Sequence, residues 1–165
     1  QSSAVAAGII KAGKKAIVTI DADLQNDPDD IPAFLQELAS FDVVCGYRKK
    51  RRDSIIRRIS SRSANKVRNF FTHDNLKDIG CALRAYRAEC GIKDLCFFNG
   101  VHRFVPTLMM WKGATITEIP TNHHERLYGT SKYTLFNRLF KVIYDLFGVQ
   151  WLKSRMLTYK IQEEQ

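Results

Sequence analysis

Apolar and polar positions along the chain alternate between short β-branched runs and stripes with helical spacing. The run at residues 17–20 predicts a strand buried on both faces, and shorter runs predict strands at 42–46, 81–86 and 114–119. Apolar residues recur every three or four positions in the predicted helices, at 1–13, 31–38, 54 onward, 99–111 and 134–152. These elements predict an α/β fold in which helices cover a sheet.

Two carboxylates follow the first predicted strand, at the point where its apolar run stops. Asp21 and Asp23, together with Gln25, offer hard oxygen donors, which suit Mg²⁺ or Mn²⁺ better than zinc. The segment 27–30 then predicts a helix start with Asp27 as the N-cap. A strand, an acidic turn and a helix form a common layout for ligand sites in open α/β sheets. The Asp-x-Asp spacing alone is a weak signal, and carboxylates that merely cap a turn are the alternative.

The net charge of the chain says more about its binding partners than the length does. The chain has 165 residues, enough for one domain with a core, and its net charge is +9 at pH 7. Such an excess indicates a polyanionic partner, which is a nucleic acid, an anionic membrane or a phosphorylated substrate. Basic residues concentrate between Arg48 and Arg68, and the length of this cluster favours phosphate or membrane contact over a merely solvated face. No run of 18 or more apolar residues predicts a membrane span.

Several other segments have polar or apolar patterns that either a functional site or ordinary folding would explain. Asp78 precedes a short predicted strand, where it either caps a turn or serves a site. The loop at 123–133 is rich in anion-binding side chains. The helix at 134–152 has a wide apolar face, which fits a core helix or one lying in a membrane interface. The four cysteines lack zinc spacing and are expected to be reduced: Cys45, Cys81, Cys90 and Cys96.

Four stretches, taken together, resemble the inverting glycosyltransferases of family 2 that act on polyprenyl phosphates, similar to dolichol-phosphate mannosyltransferase and its bacterial relatives. They are Thr19–Pro28, Val43–Arg48, Asp78–Tyr86 and His123–Tyr133, in the same order and spacing. The resemblance covers roughly residues 1–152. It implies a partial GT-A fold, a Rossmann-like mixed sheet flanked by helices, over 1–133. It also implies an amphipathic interfacial helix with a polar tail over 134–165.

The resemblance implies a hexose transfer from a UDP- or GDP-sugar to undecaprenyl or dolichyl phosphate, at the cytoplasmic face of the membrane. Asp21 and Asp23, helped by Gln25, are expected to hold Mg²⁺ or Mn²⁺ against the donor diphosphate. Asp78 and Arg103 are expected at the reaction centre. The lipid phosphate is expected to meet a set of basic and hydroxyl side chains: Arg48, Arg62, Arg126, Ser131 and Lys132. An anionic membrane surface is an expected partner, nucleic acid is not, and a homo-oligomer stays open.

One departure from the family pattern qualifies these expectations. The family's opening Val-Pro-x-Tyr-Asn-Glu segment and its following Asp-Asp-Gly-Ser are absent, so the chain is expected to be an N-terminally incomplete fragment without full activity of its own. A GT-A transferase with a soluble sugar acceptor and a basic, non-catalytic nucleic-acid-binding domain are the alternatives. The donor base, the sugar and the length of the lipid do not follow from these residues.

Overall fold

The computed structural model describes residues 1–49, 65–124 and 135–156, with side chains in the last helix from Val142 onward. The chain divides into two compact units, residues 1–131 and 132–165. The described part of the first unit contains a sheet with strands β1 (Ala16–Thr19), β2 (Val43–Arg48), β3 (Arg84–Arg87) and β4 (Ile116–Thr121). Its helices are α1 (Ser2–Lys11), α2 (Ile31–Glu37), α3 (residues 65–72) and α4 (Val105–Trp111), and α5 (Leu135–Arg155) belongs to the second unit. The predicted α/β class is confirmed.

The sheet is mixed, with strand order β1-β3-β2-β4. Strand β3 runs antiparallel to β1 and to β2, whereas β2 and β4 are parallel. Arg84, the first residue of β3, stands opposite Thr19 on one side and Cys45 on the other. The carboxyl ends of β1, β2 and β4 therefore meet the residues that precede β3 at one edge of the sheet, which is called the carboxyl edge below.

One hydrophobic cluster lies between this sheet and α2, and the burial of the strands corrects two sequence predictions. Phe34 of α2 and its C-cap residue Leu38 pack with Val44, Leu83 and Ala85 of the sheet region. The prediction that β1 is buried on both faces is wrong, because only Ile17 of its four residues is buried. In the described part of the chain β1 pairs with β3 alone, so β1 is an edge strand of the sheet. The alternating strand predicted at 81–86 is instead a shorter central strand whose first three residues are all buried.

Local turn chemistry sets where the helices begin. Asp27 is the N-cap predicted from the sequence, and its Oδ1 accepts a hydrogen bond from the Asp29 amide at 3.0 Å. The first turn after Asp27 is a 3-10 turn, Pro28–Asp30, which leads into α2. The single helix predicted over 99–111 is two elements, a 3-10 turn at Val101–Arg103 and then α4. Gly100, with a φ of 102°, is the N-cap of the 3-10 turn, and Phe104, with a φ of −107° and a ψ of 0°, separates that turn from α4.

At Gly46, strand β4 and the loop before β3 approach strand β2 closely. A Cβ atom at this position of β2 would lie 2.6 Å from Thr121 Cγ2, 2.9 Å from Cys81 Sγ and 3.0 Å from the Leu83 carbonyl oxygen. Separations this short require the neighbours to shift, and one of these neighbours is backbone. A glycine at this position therefore lets the loop before β3 pack directly on β2 and β4.

In the second unit, the structure describes helix α5. Tyr144, Phe147 and Trp151 of this helix are exposed, by 80%, 64% and 65%, and follow one another at spacings of three and four residues. Lys153 and Arg155 lie in its last turn. None of the described helices combines the length and the apolar character that a membrane crossing requires.

Candidate active site

The acidic turn lies directly after β1, at the carboxyl edge. Asp21 Oδ1 accepts a hydrogen bond from Gln1 Nε2 at 3.0 Å, and Asp23 Oδ1 accepts one from the Gln25 amide at 3.3 Å. Leu24, between Asp23 and Gln25, has a φ of 60°, in the left-handed region that a bulky side chain seldom adopts, and its side chain is exposed. The chain thus holds an unfavourable backbone conformation at the turn that presents the two carboxylates.

The segment after β4 is hydrogen-bonded to this acidic turn, although the two are far apart in the sequence. The His124 amide donates to the Gln25 carbonyl oxygen at 2.8 Å, and Asn26 and His123 form an antiparallel bridge. His124 Nε2 lies 3.2 Å from Asp27 Oδ2. The pKa of Asp27 is lowered, first by the hydrogen bond from the Asp29 amide and then by His124. These contacts join the ends of β1 and β4 into one surface.

Asp78 and Arg48 form a two-pronged ion pair at the same edge. Arg48 Nε and Nη2 donate to Asp78 Oδ2 and Oδ1 at 2.7 and 2.8 Å, and the Arg48 amide donates to Oδ2 at 3.3 Å. The side chains of Arg48 and Asp78 are only 17% and 9% exposed. The Gly80 amide also donates to Asp78 Oδ1, and a Cβ on Gly80 would lie 2.9 Å from Arg48 Nη2. The pair is therefore partly buried, closely packed and compensated in charge.

Cys81 connects the Asp78 loop to both other parts of the edge. Its Sγ lies 4.0 Å from Asn26 Oδ1 and 3.8 Å from Thr121 Oγ1. Burial raises the pKa of this thiol, which favours its neutral form. Cys81 is thus a packing residue with weak polar contacts, and all four cysteines are free thiols, as the sequence predicted.

The structure brings together some of the predicted site residues and leaves others outside the part it describes. Asp21, Asp23 and Gln25 share the acidic turn, and Arg48 and Asp78 are bonded to each other. Arg103 is half-buried in the 3-10 turn before α4. Four predicted phosphate-binding residues lie outside the described residues: Arg62, Arg126, Ser131 and Lys132. Over residues 1–49, 65–124 and 135–156, no three or more His, Cys, Asp and Glu residues are grouped to hold a metal ion.

Three residues at the edge were not among the sequence candidates. Asn26 and Cys81 gave no sequence signal, because their roles depend on contacts between distant segments. Arg84 did give one, since it is the charged residue within the otherwise mainly apolar run 81–86. Its guanidinium donates to three backbone carbonyl oxygens at this edge.

Comparison with known proteins identifies the family. Residues 1–90, more than half of the chain, match the family model described as "Glycosyl transferase family 2". The chain belongs to glycosyl transferase family 2. This membership confirms the family suggested by the four sequence stretches, and the four-stranded mixed sheet with flanking helices is consistent with a partial GT-A fold.

Relatives of this family 2 chain include enzymes named for polyprenyl phosphates. It is 40% identical over 156 residues to the dodecaprenyl-phosphate galacturonate synthase of Rhizobium johnstonii, with 92% of this chain and 46% of that protein covered. It is 37% identical over 147 residues to the undecaprenyl-phosphate 4-deoxy-4-formamido-L-arabinose transferase of Pectobacterium carotovorum and 38% identical to that of Klebsiella pneumoniae, each with 88% of this chain and 44% of the relative covered. The chain thus spans slightly less than half the length of these relatives.

Proposed function

We propose that this chain carries the catalytic centre of a glycosyltransferase that moves a sugar from a UDP- or GDP-sugar to a polyprenyl phosphate, with inversion at the anomeric carbon. The observation that carries the proposal is the meeting of the acidic turn, the Arg48–Asp78 pair and the segment after β4 at one edge of the sheet. The 40% identity to an enzyme named for dodecaprenyl phosphate supports the class of acceptor. A hexose was the expectation from sequence, and the relatives' names add a hexuronate and a modified pentose to the donors to be tested.

The proposal includes a divalent ion, Mg²⁺ or Mn²⁺, at the acidic turn. Asp21, Asp23 and Gln25 would hold it, since they offer only oxygen donors, as these ions prefer. With two carboxylates and one amide from the protein, such an ion would complete its coordination with donor phosphates and water. When bound, the ion would neutralise negative charge on the departing nucleotide.

The charge of the acceptor explains what the protein's own residues have to do. A phosphate monoester has a second pKa near 6 and is largely dianionic at neutral pH, so it needs little help from a general base. The difficulty is to bring this anion to an anionic donor. Arg48 holds the Asp78 carboxylate through Nε and Nη2, which compensates its charge. Asp78 is therefore assigned to orient the sugar or acceptor. Because Asp78 compensates the charge of Arg48, Arg48 is proposed to bind the lipid phosphate together with the other basic residues expected there, Arg62, Arg126 and Lys132.

The test is transfer of labelled sugar to polyprenyl phosphate from a panel of UDP- and GDP-sugars, with and without Mn²⁺. The assay uses a chimera in which this chain replaces the matched segment of the Rhizobium relative. We expect Asp21→Asn and Asp23→Asn to abolish Mn²⁺-dependent donor binding. Asp78→Asn should lower turnover by about 100-fold with donor affinity preserved, because a misplaced reactant is costly. Asp29→Asn, an exposed carboxylate on the same segment, is the control.

Two results would overturn the proposal. One is transfer that is unaffected by Asp21→Asn and Asp23→Asn. The other is equal loss of donor affinity and turnover in Asp78→Asn, measured by titration calorimetry, which would remove the assignment of Asp78. Transfer to a soluble sugar in place of the lipid phosphate would support the alternative acceptor class.

We also propose that α5 lies in the interface of an anionic membrane, on the cytoplasmic side. Its exposed aromatic residues Tyr144, Phe147 and Trp151, with basic residues in the last turn, have the composition of interfacial helices. Co-sedimentation with vesicles containing anionic lipid should fall when Phe147 and Trp151 are replaced by serine. Salt-sensitive RNA binding without vesicle binding would instead support the nucleic-acid alternative.

A further inference from the structure

Arg84 is a buried cation at the carboxyl edge whose role neither the sequence motifs nor the family membership specifies. It is the first residue of β3, and 5% of its surface is exposed. Among the described residues no carboxylate forms an ion pair with it. Burying a charge is costly unless it is compensated, so other contacts have to compensate the charge of Arg84.

The guanidinium of Arg84 donates through all three of its nitrogens, each to a different backbone carbonyl oxygen. Nη2 donates to Ile79 at 2.6 Å, Nε to Cys81 at 3.0 Å and Nη1 to His102 at 2.7 Å. Because the guanidinium is planar and rigid, these three bonds fix the relative positions of the three carbonyl groups. An apolar residue of the same volume would fill the space but would leave those carbonyl groups without donors.

Two of these carbonyl groups belong to the loop that carries Asp78. Ile79 and Cys81 flank Gly80, whose amide donates to Asp78 Oδ1. The third carbonyl belongs to His102, which precedes Arg103 in the 3-10 turn Val101–Arg103. One side chain therefore binds the backbone next to both residues expected at the reaction centre.

We propose that Arg84 is a positioning residue for the transfer reaction, which holds the Asp78 loop and the turn of Arg103 in their working arrangement. It acts through the backbone of Ile79, Cys81 and His102 and does not itself touch the substrate. The role in catalysis rests on the proposed glycosyltransferase function, whereas the role in ordering the two segments does not.

Arg87 provides a matched control on the same strand. It also donates to backbone carbonyl oxygens, those of Leu38 at 2.8 Å and Ala39 at 2.7 Å. These lie at the end of α2, near the opposite end of β3 from Arg84. Replacing either arginine by lysine keeps a positive charge and removes the rigid fork. The two variants therefore differ in which backbone they release.

The first measurement is amide hydrogen exchange on the 165-residue chain. In Arg84→Lys, the amides of Cys81, Arg103 and Phe104 should exchange roughly tenfold faster or more, since their local bonds lose support. In Arg87→Lys the faster exchange should appear at Leu38 and Ala39 instead. Unchanged exchange at 79–82 and 101–104 in a folded Arg84→Lys would overturn the proposal.

The second measurement is steady-state transfer by the chimera. Arg84→Lys should lower kcat roughly 10- to 100-fold while the donor KM stays within about threefold, because positioning acts on the reacting geometry. Arg87→Lys should leave kcat within about twofold. Equal kcat losses in the two variants would show a general effect of stability and would overturn the role in catalysis. If the chimera with the unaltered chain transfers no sugar, the proposed function fails, and hydrogen exchange still decides whether Arg84 orders the two segments.

A third measurement needs no variant, in case Arg84→Lys does not fold. Side-chain NMR of the unaltered chain should show separate signals for the two Nη groups of Arg84 and slow solvent exchange of its Nε–H, because three bonds prevent rotation of the guanidinium. A single averaged Nη signal would contradict the arrangement on which the proposal depends.

Discussion

A buried ion pair between α3 and the chain after it provides the sharpest prediction about stability. The side chains of Arg68 and Asp74 are 5% and 0% exposed, and Arg68 Nη2 donates to Asp74 Oδ1 at 3.0 Å. Asp74 also accepts hydrogen bonds from Thr107 Oγ1 at 2.6 Å and from the Leu76 amide at 3.2 Å. Removing its charge therefore affects α3, the following loop and α4 together.

The expected cost of Asp74→Asn follows from this geometry. At 3.0 Å and an effective dielectric constant of about 20, the attraction between the two charges is about 5 kcal/mol. Breaking a buried pair by removing one partner typically costs about 3–5 kcal/mol. The cost should be high here, because Arg68 Nε and Nη1 are buried and have no hydrogen-bond partner among the residues that the structure describes, and burial already lowers the pKa of Arg68. We expect a loss of about 3–5 kcal/mol in the free energy of unfolding.

Urea denaturation followed by circular dichroism measures this loss. With a slope of roughly 2 kcal/mol per molar urea, the midpoint should fall by about 2 M. The double variant Arg68→Met/Asp74→Leu should recover part of the stability, because it removes the uncompensated charge of Arg68, although Thr107 Oγ1 and the Leu76 amide and carbonyl groups lose their partners. Asp94→Asn, an exposed carboxylate, should change the free energy by less than about 0.5 kcal/mol. A shift below 0.5 M for Asp74→Asn, or a double variant as unstable as the single one, would refute the reasoning.

Three further predictions concern the sheet and its surroundings. Gly46→Ala should cost roughly 1–3 kcal/mol in urea denaturation, because the new methyl group overlaps its neighbours. Exposed Cys96 should react with a thiol reagent in the native state while Cys45, whose pKa burial raises to about 12, reacts only after unfolding. Asp42 accepts hydrogen bonds from the Thr115 amide and hydroxyl, which lower its pKa below the ordinary 3.8. The stability that Asp42 contributes should be complete above about pH 4 and lost as pH falls through the folded pKa, a loss that Asp42→Asn should reduce in urea midpoints measured against pH.

Local signals in the sequence predicted which helices and strands form better than they predicted which of them pack together. The Asp27 N-cap and the apolar stripe of α2 follow from interactions within a few residues, and both are present in the structure. The run at 17–20 shows that a strand is apolar, but it does not show how many strands lie beside it. The burial of β1 was overestimated for that reason.

The candidate site was predictable as a set of residues and not as a set of contacts. The acidic turn and Asp78 stand out through their charge at the ends of apolar runs. Their partners are distant in the sequence, with 30 positions between Arg48 and Asp78 and 99 between Gln25 and His124. Only the strand order brings these segments together. The role of Arg84 depends in the same way on the 18 positions that separate it from His102.

Because β3 runs antiparallel to its neighbours, four strand ends lie at the carboxyl edge, and the segment between β2 and β3 both begins and ends there. The hydrogen bonds between strands hold the sheet itself and do not fix the segments at this edge. If the proposed transfer function holds, changes in the length or side chains of these segments would alter which sugar is accepted with little disturbance of the strand pairing. Under that proposal, donor preference could be exchanged by grafting loops, with Gly46 and Arg84 kept unchanged.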